Sequence, residues 1–313
     1  MRKEHFYINS KQEGERLHCV KWVPDGSAKG VVQLVHGMIE YIDRYDEFAK
    51  YLVNAGYVVY GHDHLGHGET AKTPEDFGYF ADNNGKNIVI KDIRQVYCHA
   101  KKEYPNVPYF LMGHSMGSLF TRKYITIFGD GLDGVIIMGT AYQPFRTALA
   151  GRVLATTIAK MKGKKYHSRL MHWLVLGNHN KRWKPNRTKN DWLTKDAKCV
   201  DNYNESPYCN FTFTVGAYMD LFDILMGLSV KKYRNRIPST LPILLVSGAD
   251  DPIGNYSVGV CKVKKQLEQQ VEDIEMKLYE EDRHEILNET DKDVVFHDIL
   301  DWIERHYKKS NKN

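Results

Sequence analysis

Gly113-His114-Ser115-Met116-Gly117 directly follows the apolar run Tyr109-Phe-Leu-Met112 and directly precedes a helical pattern that reaches Phe128. A Gly-x-Ser-x-Gly pentapeptide between a strand and a helix predicts a sharp turn that strains the serine and exposes its hydroxyl. Glycine is required two positions to either side of the serine, because a Cβ there would collide with neighbouring backbone. The N-terminus of the following helix favours negative charge on a reacting carbonyl. The pattern predicts that Ser115 is a nucleophile.

On both sides of this turn, short apolar runs alternate with helical patterns. Strands are predicted at residues 31–35, 57–60, 109–112, 134–138, 242–246 and 274–278. Such alternation with short connections predicts an α/β fold with a mostly parallel, doubly wound sheet. The alternation stops after Met138, and the following residues are helical in pattern and rich in aromatic side chains. We therefore expect a core formed by residues 1–140 and 231–313, with residues 141–230 as a helical insertion.

A serine nucleophile needs a general base, and the tautomer of that base is held by an acid. In hydrolases with this turn the chain order is serine, acid, histidine. The acid is expected just past a late strand, where residues 242–249 lead into Asp250 and Asp251. The base is expected after the final strand, and His284 is the one histidine between that strand and the last helix. The residues alone leave Asp250 and Asp251 as alternatives for the acid.

Four segments give the sequence its resemblance to the α/β-hydrolase superfamily, and within it to the monoacylglycerol lipase and lysophospholipase branch, which includes serine aminopeptidase-like hydrolases. These segments are His36–Tyr45, Asp63–Gly68, Gly113–Gly117 and Tyr279–His284. The resemblance implies an α/β-hydrolase fold in which the inserted helices form a cap, or lid, over the active site. It also implies Asp251 as the acid, because the acid of the family lies three residues after a strand-end glycine, here Gly248. Asp250 remains the alternative acid.

The same resemblance implies the remaining parts of the site. The backbone N–H groups of Met38 and Met116 match the donors of the family's oxyanion hole. Glu40 and Arg44 match residues that support this loop from behind. The implied activity is hydrolysis of a carboxylic ester, the acyl ester of a monoacylglycerol or lysophospholipid, through an acyl-enzyme on Ser115. Neither a metal nor an organic cofactor is implied.

Three alternatives remain open. His62, His64 and His67 form an H-x-H-x-x-H pattern that resembles a zinc-hydrolase signature. That signature has an acidic residue where Gly66 stands, and the same segment matches the Asp-x-x-Gly-His-Gly turn of α/β-hydrolases, so we favour the turn. The second alternative is an aminopeptidase of the same fold, and the third is a non-catalytic lipid-binding protein.

Composition and charge restrict the partners. Hydrophobic residues make up 42% of the 313 residues, and no run approaches the ~18 apolar residues of a membrane span. Five cysteines without a CxxC pair, and no secretory signal, predict reduced thiols in a cytoplasmic protein.

Residues 160–198 contain twelve Lys or Arg against two Asp, a local charge of +10. We expect this block to bring the cap into transient contact with an anionic membrane surface, and we expect a small lipid or ester substrate and no nucleic acid. The sequence gives no oligomeric state.

Overall fold

Eight strands form one sheet in the order β1-β2-β4-β3-β5-β6-β7-β8. This computed structural model describes residues 1–234 and 236–310. The strands are β1 Arg2–Asn9, β2 Arg16–Val23, β3 Gly30–Val35, β4 Tyr57–His62, β5 Tyr109–His114, β6 Gly134–Met138, β7 Ile243–Gly248 and β8 Ile274–Tyr279. From β4 across to β8 every neighbouring pair is parallel. The six predicted strands are thus confirmed, each within two residues of its expected bounds.

The sequence analysis missed the first two strands. β1 pairs with β2, and β2 pairs with β4, in both cases antiparallel. β1 lies at the edge of the sheet, and its residues are exposed or only half-buried. Because an edge strand needs few apolar residues, its sequence Arg-Lys-Glu-His-Phe-Tyr-Ile-Asn carries a weak hydrophobic signal. This hairpin makes the sheet mixed rather than wholly parallel.

Ten helices accompany the sheet within the described ranges. They are α1 Asp46–Asn54, α2 Gly85–Glu103, α3 Met116–Phe128, α4 Phe145–Lys162, α5 Arg169–Leu176, α6 Ala197–Glu205, α7 Val215–Ser229, α8 Lys231–Arg234, α9 Val258–Leu267 and α10 Lys292–Ser310. None of these helices has the length and apolarity that crossing a bilayer requires.

Both faces of the sheet are covered, so the doubly wound α/β prediction is confirmed. Alternate residues of β3 enter two separate apolar cores: Val31 and Val35 one, Val32 and Leu34 the other. The first core is completed mainly by side chains of α2, α3, α7 and α9, and the second by side chains of α1 and α10. Successive side chains of a strand point to opposite faces, which is why each central strand is apolar along its whole length.

Helices α4 to α8 lie in the chain between β6 and β7. α4 to α7 fall within residues 141–230, the predicted insertion, whereas α8 begins at Lys231, just beyond it. α4 packs along α7, and α7 in turn packs on α2 and α3. α7 is therefore buried against the helices beside the sheet, with Val215, Tyr218 and Leu221 among its buried side chains. The inserted segment is thus joined to the sheet domain by packing as well as by its two ends.

Candidate active site

Ser115 lies in a strained turn between β5 and α3. Its backbone has φ 52° and ψ −119°, a conformation that L-residues rarely adopt. A Cβ on Gly113 would lie 2.5 Å from the carbonyl oxygen of Gly117, and one on Gly117 would lie 2.1 Å from that of Val35. Both glycines are therefore required sterically, as the pentapeptide predicted. The turn projects the Ser115 hydroxyl above the carboxyl end of the sheet, where the loops after β7 and β8 also lie.

The structure brings Ser115, His284 and Asp251 together. His284 Nε2 lies 2.8 Å from Ser115 Oγ, and His284 Nδ1 lies 2.9 Å from Asp251 Oδ2. Asp251 follows β7 and His284 follows β8, so parallel strands deliver both side chains to the same edge of the sheet as the serine. The three groups have the arrangement of a nucleophile, a base and an orienting acid.

Asp251 and not Asp250 faces the histidine. Asp251 is fully buried, and its Oδ1 accepts a hydrogen bond of 2.8 Å from the N–H of Ile253. Burial opposes ionisation of this carboxyl, but His284 and the Ile253 N–H outweigh burial and lower its pKa. Asp250 instead forms an ion pair of 2.8 Å with Arg182 of the inserted segment. The alternative acid therefore has a different partner.

The two expected oxyanion donors lie beside the serine. Met38 and Met116 both line the pocket that contains Ser115 and His284. The loop holding Met38 passes close to the nucleophile, since a Cβ on Gly37 would lie 3.0 Å from Ser115 Cβ. Within the described ranges, neither the Met38 nor the Met116 N–H donates to a protein acceptor. Both amides are thus free to bind an oxyanion.

Glu40 and Arg44 belong to a buried charge network behind the site. Glu40 accepts hydrogen bonds from Tyr45 Oη at 3.0 Å and from Arg44 Nη1 at 3.0 Å. Arg44 also binds both oxygens of Glu285, each at 2.6 Å. Glu285 directly follows His284, so the network connects the oxyanion loop to the loop of the base. Sequence reasoning found Glu40 and Arg44 but missed Glu285, although its place beside His284 was a signal.

His114 completes this network. Its Nδ1 lies 2.9 Å from Glu40 Oε1 and its Nε2 lies 3.3 Å from the carbonyl oxygen of His284. Both nitrogens face acceptor oxygens, an arrangement that favours the protonated form of the ring. Burial opposes that charge, but Glu40 outweighs burial and raises the pKa of His114. Burial likewise opposes ionisation of Glu40, and His114 and Arg44 together lower its pKa. His114 is therefore not the base, but its ring contacts the backbone of the residue that is.

The three histidines of the zinc alternative are buried, and within the described ranges they do not form a group with the ligand-atom spacing of a metal site. The ring centroids of His62 and His64 are 4.8 Å apart, and those of His64 and His67 are 6.1 Å apart. Burial lowers the pKa of His62 to about 3 and that of His67 to about 4. Asp63, between them, is bound to His18 at 2.7 Å and shapes the turn by accepting the N–H of Ile42. Residues 62–68 therefore match the turn that the sequence analysis favoured, and their geometry gives no support to the zinc-hydrolase alternative.

One other group in the described part of the chain has metal-ligand spacing: Asp273, Glu275 and His306, whose ligand atoms lie within 4.8 Å of one another. Arg305 binds both oxygens of Glu275, at 2.8 and 2.9 Å, which occupies that carboxylate. The group also lies at the start of β8, at the opposite end of the strand from His284. It has no part in the site.

A pocket of about 150 Å³ lies over Ser115, and its wall is mainly apolar. The inserted segment supplies much of that wall: Val175, Leu176, His179, Trp192, Leu193, Tyr203, Leu221 and Leu225. A larger, more polar cavity of about 650 Å³ adjoins it and shares Leu176, Trp192 and Tyr203. The arrangement is suited to holding an apolar chain next to an activated hydroxyl.

A family model described as "Serine aminopeptidase, S33" matches residues 26–291. The chain belongs to this family. It is therefore a hydrolase of the α/β-hydrolase superfamily, and monoglyceride lipases are among the proteins it is similar to. Monoglyceride lipase of Mus musculus is 27% identical over 302 residues, covering 93% of this chain and 88% of the relative. Monoacylglycerol lipase of Mycolicibacterium smegmatis is 25% identical, covering 97% and 98%.

Among solved structures, a thermostable carboxyl esterase from Bacillus coagulans, determined in complex with glycerol, superimposes with a TM-score of 0.91. It is 27% identical, and the match covers 98% of this chain and 99% of the esterase. Because the similarity spans both chains almost completely, it includes the inserted helices of this family member as well as its sheet.

Proposed function

We propose that this protein is a serine esterase that cleaves the acyl ester of monoacylglycerols, with lysophospholipids as a related substrate class. The observation that carries the proposal is the 2.8 Å contact between Ser115 Oγ and His284 Nε2 in a mainly apolar pocket. The relatives named as monoglyceride lipases support the choice of ester, since they match this chain over nearly its whole length.

The proposed reaction requires no rearrangement of Ser115, His284 and Asp251 from their positions in the structure. His284 Nε2 takes the hydroxyl proton while Ser115 Oγ attacks the acyl carbonyl, and Asp251 stabilises the imidazolium that forms. The N–H groups of Met38 and Met116 donate to the oxyanion. Collapse of the intermediate breaks the ester bond, and His284 returns its proton to the departing glycerol oxygen. Water then attacks the acyl-enzyme by the same route in reverse, releasing the fatty acid and restoring the serine.

The aminopeptidase alternative needs a free carboxylate to bind the substrate ammonium. Two carboxylates line the pocket within the described ranges, those of Glu40 and Glu285. Arg44 already binds both of them. The charge of the pocket thus favours a neutral acyl substrate over a cationic one.

The test is a series of p-nitrophenyl esters from acetate to palmitate, followed by monoacylglycerol and lysophosphatidylcholine in parallel. We expect kcat/KM to rise with chain length and a fluorophosphonate probe to label the protein. Ser115→Ala should lower kcat by at least about 10⁴-fold and abolish labelling, whereas Ser229→Ala, outside the pocket on α7, should do neither. An unlabelled wild-type protein would indicate a lipid-binding role, and loss of activity on chelation would revive the zinc alternative.

We further propose that residues 141–230 form a cap that rests on an anionic bilayer. α4 and α5 expose large apolar side chains, including Met161 at 75% and Trp173 at 55%. These lie within or beside the block of residues 160–198 with its charge of +10, so the same segment offers both exposed apolar side chains and cations. The five free cysteines support a cytoplasmic location, with peripheral attachment to the membrane.

Vesicle sedimentation tests the surface directly. Binding to vesicles containing phosphatidylglycerol should exceed binding to phosphatidylcholine alone and should weaken at high salt. Trp173→Ser should reduce it, whereas the matched change Val294→Ser, at an exposed apolar position on α10, should not. Equal binding to neutral and anionic vesicles would discard the proposal.

A further inference from the structure

The imidazole of His284 packs against two other rings. The ring centroids of His114 and His284 are 4.7 Å apart, with 41° between their planes. Those of Trp192 and His284 are 5.1 Å apart, with 34° between the planes. His179 packs edge-on against Trp192, with centroids 4.9 Å apart. The imidazole of His284 is thus in contact with His114 from β5 and with Trp192 from the inserted segment.

Trp192 is held in place by its neighbours in sequence. We name residues 191–195 the strap, because they bind the loop of residues 280–289 along its length. The carbonyl oxygen of Leu193 accepts the N–H of Glu285 at 2.7 Å, and Thr194 Oγ1 donates to Glu289 at 2.9 Å. Lys195 forms an ion pair of 2.7 Å with the buried Asp282.

The loop also reaches back to the strap. Arg283 Nη1 donates to the carbonyl oxygens of Asp191 and Thr194, the second at 3.2 Å. The N–H of Lys195 donates to Glu289 Oε2 at 2.9 Å, and the other oxygen of that carboxylate accepts the N–H of Arg283 at 2.8 Å. The strap and the loop of the base therefore form one hydrogen-bonded unit.

We propose that Trp192 is a positioning residue for His284, an inference that rests on the function proposed above. Asp251 and Ser115 hold the two nitrogens of the imidazole, and the packed rings of His114 and Trp192 add to the barrier against rotation about the Cβ–Cγ bond, which is intrinsically broad for histidine. Trp192, 7% exposed, lines the pocket beside the imidazole. Without the indole, that side of the imidazole opens to a cavity in which the ring can turn and water can enter.

This role differs from that of a substrate-binding wall. Trp192 also lines the pocket, so its loss could weaken substrate binding. Loss of a residue that only lines the pocket raises KM, most strongly for substrates with long acyl chains. Loss of a positioning residue slows the steps in which His284 transfers a proton. A substrate whose acyl chain is too short to contact the pocket wall distinguishes the two roles.

The experiment compares Trp192→Leu and Trp192→Phe with the wild type, using p-nitrophenyl acetate and a small fluorophosphonate. For Trp192→Leu we expect kcat and the rate constant of fluorophosphonate inactivation to fall together by about tenfold, with KM for acetate within about twofold. Trp192→Phe keeps an aromatic face and should recover most of the rate. Tyr7→Leu, which removes an exposed aromatic side chain of the edge strand β1, is the control and should leave the rate unchanged.

Several results would overturn the inference: an unchanged kcat in Trp192→Leu, a loss confined to KM, or a Phe variant as slow as the Leu variant. If Trp192→Leu does not fold, Trp192→Met is measured in its place against the same criteria. A wild-type protein that neither hydrolyses esters nor reacts with the fluorophosphonate would instead refute the proposed function, so the two failures are distinguishable.

Discussion

Replacing Arg44 by methionine tests the buried charge network. The Arg44 side chain is 11% exposed and donates to three carboxylate oxygens: Glu40 Oε2 at 3.0 Å and both oxygens of Glu285 at 2.6 Å. In the native protein two carboxylates face one guanidinium and the ring of His114, whose pKa Glu40 raises against the effect of burial. Methionine has a similar apolar length but no charge, and it leaves a net negative charge buried.

The expected loss is about 3–5 kcal/mol of unfolding free energy at neutral pH, which is typical when one partner of a buried ion pair is removed. The double variant Arg44→Met/Glu285→Gln restores the charge balance, because Glu40 and His114 remain paired. It should therefore recover about 2 kcal/mol or more relative to the single variant.

Equilibrium unfolding in urea, followed by tryptophan fluorescence, measures both values. Glu285→Gln alone completes the double-mutant cycle. A loss below about 1 kcal/mol in Arg44→Met, or a double variant whose loss equals the sum of the two single losses, would show that the network does not balance charge in this way.

Three further predictions concern the acid, the turn and the buried histidines. Asp251→Asn should lower kcat for p-nitrophenyl butyrate by about four orders of magnitude. Asp250→Asn loses only the contact with Arg182, so its kcat should stay within about threefold of the wild-type value. If Asp250→Asn were instead the inactive variant, Asp250 would be the acid. Gly117→Ala places a Cβ 2.1 Å from the carbonyl oxygen of Val35 and should lower the free energy of unfolding by about 3 kcal/mol or more. The urea midpoint should fall accordingly, and a midpoint equal to that of the wild type would contradict the steric argument. His62 has a pKa near 3 when folded and about 6.5 when unfolded, so the unfolded state binds the extra proton and stability falls by about 1.4 kcal/mol per pH unit as the pH drops below 6.5. His62→Phe should remove the contribution of His62 to this pH dependence, leaving that of the other buried histidines, and move the midpoint of acid unfolding, measured by circular dichroism, to lower pH; an unmoved midpoint would refute it.

Most of the sheet could be predicted from the sequence, because buried central strands are apolar along their whole length. β6 was predicted with its observed bounds, 134–138, and α3 was predicted over 116–128, as observed. β1 was missed because an edge strand buries little and its pattern is mostly polar. β2 is largely buried, but Arg16, His18 and Lys21 interrupt its apolar residues and weaken the signal. Hydrophobic periodicity reports burial, so it fails where a strand is held mainly by backbone hydrogen bonds.

The site was predictable where chain order and strand ends constrain it, which applies to Ser115, Asp251 and His284. Nothing in the sequence marked Trp192, since it lies 92 residues before His284 in a segment without strand–helix alternation. Its contact depends on how the strap folds back on the loop after β8. Such long-range contacts are set by tertiary packing, which local patterns do not encode.

The strap also bears on how this enzyme could be re-engineered. Exchanging the helices between β6 and β7 for those of a relative is a natural way to seek new specificity, because both ends of the segment leave the sheet at adjacent parallel strands. A chimera made in that way would lose the strap residues that bind Asp282, Arg283 and Glu289, and with them the Trp192 indole that packs against His284. Grafts that keep residues 191–195 from the recipient should stay active, and those that replace them should need a compensating change in residues 280–289.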